Sequence, residues 1–444
     1  MPDRTSQPAG AVARASRPLW RERLAPARGQ DARATAGETS ALRGGPSPGG
    51  AVQGAGPSLS GRRPGGAGPR GIGRSLLLTV PMALFTLLLF TPVFRQPEGA
   101  ARLAAALTWI FMLTLFFLMV RTRETHRWRR TFFIALGFLF PVGFIWDLVA
   151  LRSSMSIPVE RMLSGDTPFC FMVIPMTLIP AALSKTIIFP GSILATASNP
   201  HSIAMMVALW LLATVILGKA WCSYGCFFGG LDEGFSSVAR KARLRQINPK
   251  WRLAPWAILV VIVLLSAATY EPTYCMWLCP FKAVTEFPQV RSTQTALQFA
   301  IFVTLFLGLV VVLPFLTKRR TQCAFFCPFG AFQSIFSRTS IFDIRIDKDK
   351  CGSGCLLCQN NCPVLALDKD AVRAGKPLTS CMRCGACVDA CPKDAAVWHI
   401  KGTPLEVNPE RARLLFLYAA WTFATMFGGS IIAHSLQRLF GLVA

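Results

Sequence analysis

The chain has 444 residues, 52% of them hydrophobic, a mean hydropathy of +0.44 and a net charge of +25. That apolar content exceeds what a soluble globular domain carries, so most of the chain belongs in a bilayer. About a third of the positive excess sits in one terminal stretch, and the charge does not by itself call for a nucleic-acid partner.

Residues 1–74 hold 12 Arg against 4 acids in a Gly, Ala, Pro and Ser background. Such a segment has too few large apolar residues to bury a core and reads as a disordered basic tail. Trp20 is its one aromatic residue, so it lacks the stacking platforms of single-stranded nucleic-acid binders, and no nucleic-acid partner is expected. The arginines suit the anionic lipids of an inner leaflet. Arg62-Arg63 precedes an apolar run that is too long and lacks a small-residue cleavage site, so no signal peptide is read.

Apolar runs fit to cross a ~30 Å hydrocarbon core fall at Leu76–Phe94, Arg102–Val120, Thr131–Leu151, Ile203–Leu217, Pro255–Tyr270, Ala296–Leu316 and Leu414–Ala433. Asp147, near the end of the third, reads as an interfacial carboxylate. Pro168–Pro190 is apolar but broken by four prolines and Lys185, and is expected to re-enter or lie outside without crossing. The stretches Arg121–Arg130, Arg240–Arg252 and Lys318–Arg320 are basic, and the positive-inside rule places all three on the cytoplasmic side.

Three cysteine pairs follow spans and share one pattern: Cys222-x3-Cys226-x-Phe228-x-Gly230, Cys275-x3-Cys279-x-Phe281-x-Ala283 and Cys323-x3-Cys327-x-Phe329-x-Ala331. The recurrence reads as an internal repeat of a span with a cysteine-bearing end. An i, i+4 spacing puts both sulfurs on one helical face or tight turn, close enough to share a centre. Cys222, Cys226, Cys323 and Cys327 lie on the cytoplasmic side of this topology and are read as one four-thiolate metal site, a further Cys-ligated iron–sulfur or iron centre. Cys275 and Cys279 fall at the outer face, where metal binding and a disulfide or reactive dithiol stay open together. Cys170 is alone and reads as inert.

Two longer runs follow: Cys351-x3-Cys355-x2-Cys358-x3-Cys362-Pro363 and Cys381-x2-Cys384-x2-Cys387-x3-Cys391-Pro392. The second has the bacterial two-cluster ferredoxin spacing, and the first has one extra residue between its first two cysteines. In that arrangement each run gives three thiolates to one 4Fe–4S cube and its fourth to the other. Cys351, Cys355, Cys358 and Cys391 are therefore assigned to one cluster, and Cys381, Cys384, Cys387 and Cys362 to the second. Paired zinc sites are the competing reading, but zinc motifs separate their pairs more widely and do not repeat four cysteines before a proline. No Cys-x-x-Cys-His marks a c-type haem, the four histidines are scattered, and no dinucleotide fingerprint is visible.

From about residue 75 to 400, the order of hairpins, Cys-x3-Cys(-Pro) motifs and double ferredoxin segment resembles the NosR and NapH group of membrane iron–sulfur proteins. Cys323-Ala-Phe-Phe-Cys327-Pro-Phe-Gly-Ala and Cys279-Pro-Phe carry the resemblance most directly. It implies a quinol-linked electron carrier to a periplasmic reductase, in a group where some members affect maturation of a partner enzyme. The chain departs from the group where Cys226 lacks a following proline, in its 74-residue tail, and in having no room for a covalent-flavin domain before the first span.

The expected fold is mainly α, a polytopic transmembrane bundle with a small α+β double 4Fe–4S domain. Its parts are the tail 1–74, the helical domain 75–339, the cytoplasmic ferredoxin domain 340–402 and a membrane helix in 403–444. The expected function is electron relay in the bacterial inner membrane, between a quinol or cytoplasmic donor and a flavin-binding or reductase partner at the outer face. No catalytic residue is read, although a quinol-dehydrogenase-type role follows from the resemblance. Two alternatives stand: an assembly or metal-handling factor whose outer dithiol is recharged by the clusters, and a redox sensor.

Overall fold

In the computed structural model, residues 68–444 are described except 96, 151–173, 177–202, 240, 245–246, 270–272, 285–289, 291, 353–354, 406–407 and 444, with backbone alone at 93, 144–150, 203–206, 284 and 442–443. Cys170 and nearly all of Pro168–Pro190 lie outside the described residues, as does the side chain of Asp147.

Leucine-rich α1 (Ile72–Phe94) and α2 (Gly99–Thr122) pack as a hairpin. The chain leaves α2 through Arg123 in the left-handed region, φ 61°, and at once begins α3 (Thr125–Ala150). α4 (Ile203–Leu217) leads into the first cysteine pair, and α5 (Phe227–Val238) then lies along α3. That contact depends on two glycines: a Cβ on Gly137 would stand 2.5 Å from the Gly230 carbonyl carbon. Removing both side chains is what lets the helices touch backbone to backbone.

α6 (Ala254–Thr269) and α7 (Thr293–Leu305) are two further apolar helices. Ser292 caps α7, its hydroxyl accepting from Thr295 N at 3.2 Å, and so fixes where the helix starts. The helix continues through a π segment, Phe306–Val312, to Leu313–Thr317. Thr321 Oγ1 donates to Leu309 O at 2.7 Å within that widened stretch, as side chains do where a helix ladder is disturbed. α8 (Pro328–Phe336) begins on a proline, which needs no amide partner there.

Beyond α8 come β1 (Phe342–Ile346) and β2 (Ala396–Ile400), paired antiparallel with Phe342 opposite Ile400. They enclose the two cysteine runs. α9 (Pro409–Ala424) and α10 (Ser430–Val443), joined by a π segment at Thr425–Gly429, close the chain. Trp398 of β2 stacks on Phe416 of α9 at 4.1 Å and Phe342 of β1 meets the same ring at 5.6 Å. Such ring pairs contribute ~0.5–1.5 kcal/mol beyond their buried area. The small sheet is thus fixed to the foot of the helical domain.

Among the described residues, six segments are long and apolar enough to cross a membrane: Ile72–Pro92, Gly99–Thr122, Val207–Tyr224, Pro249–Thr269, Thr293–Thr317 and Pro409–Gly441. The protein is a multi-pass membrane protein, mostly helical with one small sheet. The run expected at 131–151 lies in α3, which is not among these six. Its first turns carry His126, Arg127, Arg129 and Arg130.

Candidate iron–sulfur centres

Cys362, Cys381, Cys384 and Cys387 line one cavity, walled by Ile344, Val364, Leu367 and other apolar groups. Burial first, then the neighbouring sulfurs of Cys381, Cys384 and Cys362, push the Cys387 thiol well above its ordinary value. Burial likewise leads in raising Cys381 to about 12, with Cys362 and Cys384 adding. The other four cysteines form a second set. Cys358 is raised by burial and by Cys351, Cys355 and Cys391, and Cys351 by burial, Cys355 and Cys391. Each run therefore lends its last cysteine to the other run's set. Backbone amides point at two of these crossed sulfurs: Ala366 N donates to Cys362 Sγ and Ala395 N to Cys391 Sγ, both at 3.2 Å.

Four like groups crowded on an apolar cavity repel as anions, and a bound metal core reverses that preference by deprotonating its ligands. Amides aimed at sulfur then stabilise the thiolates and tune the potential. Among the described residues no three His, Cys, Asp or Glu side chains are drawn together as a single-ion site. The fit to a cube rests instead on the four-sulfur cavity, the crossed pairing and the N–H···S bonds. The two sets differ in exposure: Cys355 is exposed, whereas Cys384 and Cys387 are buried.

The Cys-x3-Cys pairs repeat in conformation as well as sequence. The first cysteine sits in a helical turn, and the second follows with extended backbone: φ/ψ −83/105 at Cys226, −76/110 at Cys279 and −68/109 at Cys327. Cys226 and Cys327 each stand immediately before a helix, α5 and α8. Amides two and three residues on approach each sulfur, from Phe228 and Gly229 to Cys226 and from Phe329 and Gly330 to Cys327, the Gly330 bond being 3.4 Å. A helix start offers free amides and a partial positive charge to an anion. The conserved geometry explains the Cys-x-Phe-Gly sequence that both share.

These two pairs meet. Burial raises the Cys226 thiol foremost, followed by Cys222 and, more weakly, Cys327; at Cys323 burial is followed by Asp232, with Cys226 and Cys327 also contributing. Asp232 is itself buried, accepts from Cys323 N at 3.0 Å, and is raised by burial to about 7. Cys275 has Cys279 and Lys282 as its charged neighbours. Both cysteines are buried, 7% and 5% exposed, and their segment folds inward from the far ends of α6 and α7. Gln298 Nε2 donates to Met276 O at 3.2 Å. Phe281 packs 3.8 Å from Phe228 and 6.0 Å from Phe306, ring centre to ring centre. Two phenylalanines thus bridge the segments that follow Cys226 and Cys279. Among the described residues all these cysteines are free of disulfides.

The membrane-end set and the buried ferredoxin set are joined by direct bonds. Ser223 Oγ donates to Met382 O at 2.9 Å, and Arg320 Nη1 to Met382 Sδ at 3.4 Å and to Cys222 O at 3.2 Å. Arg320 N donates to Pro363 O at 2.9 Å, and Arg319 to Cys362 O. Arg383 Nη1 reaches Leu217 O at 2.8 Å. Residues 222–223 and 381–384 are therefore held against one another by a few side chains.

Sequence reasoning missed the charges at this joint. Glu233, 2% exposed, takes Arg129 at 2.7 and 2.9 Å and also Arg320, while both guanidiniums are fully buried. Arg129 further donates to Ser223 O at 2.8 Å. Read along the chain, Arg129 and Arg320 belong to basic stretches expected on the cytoplasmic side. The available signal was Glu233, an acid in the apolar stretch after Cys226.

Comparison with known proteins agrees with this geometry. A 4Fe–4S dicluster domain matches residues 343–392, and a 4Fe–4S binding domain matches three times, at 198–245, 253–293 and 299–348, one Cys-x3-Cys pair in each. Similar proteins include YccM of Escherichia coli (strain K12), named for electron transport, at 28% identity over 43% of this chain and 54% of that one. Protein NirI of Paracoccus denitrificans (strain Pd 1222) is 25% identical over 63% of this chain and 37% of its own length. MJ0749 of Methanocaldococcus jannaschii, uncharacterized, is 36% identical over 15% and 25%. The chain thus spans 54% or less of each relative it matches. No solved structure matches. A multi-pass frame, a crossed dicluster segment and three further 4Fe–4S matches make this chain an iron–sulfur protein with sites for two or more 4Fe–4S clusters, similar to membrane ferredoxin-like electron-transport proteins of the NapH and NosR kind.

Proposed function

We propose that this protein carries electrons from a cytoplasmic donor or a quinol to a flavin-binding or reductase partner at the outer face of the bacterial inner membrane. When bound, 4Fe–4S clusters supply one-electron carriers at the cysteine sets. The observation that carries the reading is the bonded joint between the Cys381–Cys384 loop and the Cys222 turn. A ferredoxin segment serving only as a store or sensor needs no such joint to a second four-cysteine set.

On this reading residues 340–402 are the cytoplasmic ferredoxin domain and 75–339 the membrane domain. Cys222, Cys226, Cys323 and Cys327 hold a further centre, with the starts of α5 and α8 contributing amides. The Cys351 set, in which Cys355 is exposed, faces the donor, and the Cys381 set, in which Cys362, Cys384 and Cys387 are buried, faces the membrane. Phe228 and Phe281 exclude water between the membrane-end set and Cys275/Cys279. Burial of that middle pair weighs against the assembly-factor alternative, because a dithiol that attacks a partner disulfide must be accessible and ionised.

The test uses full-length protein in sealed vesicles with the ferredoxin face outward and an electron acceptor trapped inside. Chemical reduction from outside should reduce the trapped acceptor, and Cys222→Ser should stop this while the dicluster signals persist. Equal reduction by Cys222→Ser, or none by the unaltered protein, would contradict the proposal.

A further inference from the structure

Lys219 sits in the turn Gly218–Ala220 between α4 and Cys222, and is 3% exposed. Its Nζ donates to Ser334 Oγ at 2.8 Å, and among the described residues no carboxylate pairs with it. The neighbouring buried cations differ: Arg129 and Arg320 share Glu233. A lysine at a span end ordinarily extends its head to water, but this one is enclosed. An enclosed ammonium with only a hydroxyl partner is unfavourable unless an anion lies near.

The groups near it are sulfurs. The ammonium interacts electrostatically with Cys222, Cys327, Cys323 and Cys381, in that order. Three belong to the membrane-end set and the fourth to the buried ferredoxin set. A cavity of about 30 Å3 beside it is lined by Lys219, Cys323, Ser334, Ser380 and Met382, at the same joint. Ser334 holds the lysine from α8, the helix that begins at Cys327, and is itself tied to Gly330 O at 2.8 Å. This cation therefore stands between two sets of four cysteines, and among the described residues no carboxylate pairs with it.

We infer that Lys219 is a positioning residue, the counter-charge shared by the Cys222/Cys226/Cys323/Cys327 set and the Cys362/Cys381/Cys384/Cys387 set. The inference rests on the proposed reading that both sets hold iron–sulfur centres. A fixed positive charge favours the more negative, reduced form of each neighbouring centre. It acts on both, so losing it makes both harder to reduce together. None of the four sulfurs named beside Lys219 belongs to the Cys351 set, whose centre should be untouched.

The experiment is a potentiometric titration of anaerobically purified full-length protein, read by electron paramagnetic resonance, with each signal assigned by a Cys→Ser variant of its own set. Lys219→Met should lower the reduction equilibrium of both neighbouring centres about tenfold or more, ~59 mV for a one-electron couple. The Cys351-set potential should not move, and Lys219→Arg should restore the other two. If Lys219→Met fails to retain those centres while Lys219→Arg retains them at unaltered potentials, the charge requirement is supported. Unchanged potentials in Lys219→Met, an equal fall at all three centres, or loss of iron in both variants would overturn it. If the unaltered protein lacks any signal that depends on Cys222, the reading beneath the inference fails, and the shared role fails with it. That failure is told apart because it appears before Lys219 is changed.

Discussion

Replacing Gly218 with Ala should unseat the ferredoxin segment from the membrane domain. Gly218 has φ +59°, and a Cβ there would stand 1.6 Å from Arg383 Nη1. Two costs add. An L-residue held in the left-handed region costs ~1–2 kcal/mol. The guanidinium must also move, breaking its 2.8 Å bond to Leu217 O and straining those to Ser337 O and Ser340 Oγ at 3.1 and 2.6 Å. Losing a charged hydrogen bond of this kind costs ~1.5–3 kcal/mol. Together the substitution should cost ~2.5–5 kcal/mol, shown by a lower denaturation midpoint in detergent and by faster proteolysis near Ser337–Ser340. In an Arg383→Ala background the same change should cost only the backbone part, ~1–2 kcal/mol. An equal cost in both backgrounds would refute the contact between Gly218 and Arg383 as the cause.

Glu233→Gln should destabilise the protein by ~3–5 kcal/mol, since it leaves Arg129 and Arg320 buried without their shared anion; a melting temperature in detergent unchanged from the unaltered protein would contradict this. Reporter fusions after Arg245 and after Lys318 should both read cytoplasmic and one near Pro288 periplasmic, and opposite readings at the first two would mean either that α3 does not cross or that Pro168–Pro190 does. Replacing Cys275 and Cys279 together with Ala should stop reduction of an outer acceptor while the dicluster signals persist; normal abundance with normal transfer would remove the pair from the route.

The dicluster segment was legible because its ligands lie close along the chain: spacing alone says which sulfurs can wrap one core. Six of the seven expected spans were legible because hydropathy is a local property, and the repeated Cys-x3-Cys ends because three copies share a pattern. What spacing could not show was depth. Cys275 and Cys279, expected at a face, are enclosed because Phe281 folds back to Phe228 and Phe306. Nor could local reading find the joint. Glu233 meets Arg129 across 104 positions and Arg320 across 87, and Ser223 meets Met382 across 159. Arg129 and Arg320, read along the chain only as basic flanks of spans, are buried there around Glu233.

The most direct test of the account is the iron, sulfide and zinc content of anaerobically purified full-length protein, with spectra before and after reduction. The two ferredoxin-type sets alone require about eight iron and eight sulfide per chain, and a filled Cys222/Cys226/Cys323/Cys327 site raises both. Replacing any one of those four with Ser should remove one signal and leave the dicluster signals intact. Stoichiometric zinc with little iron would contradict the account.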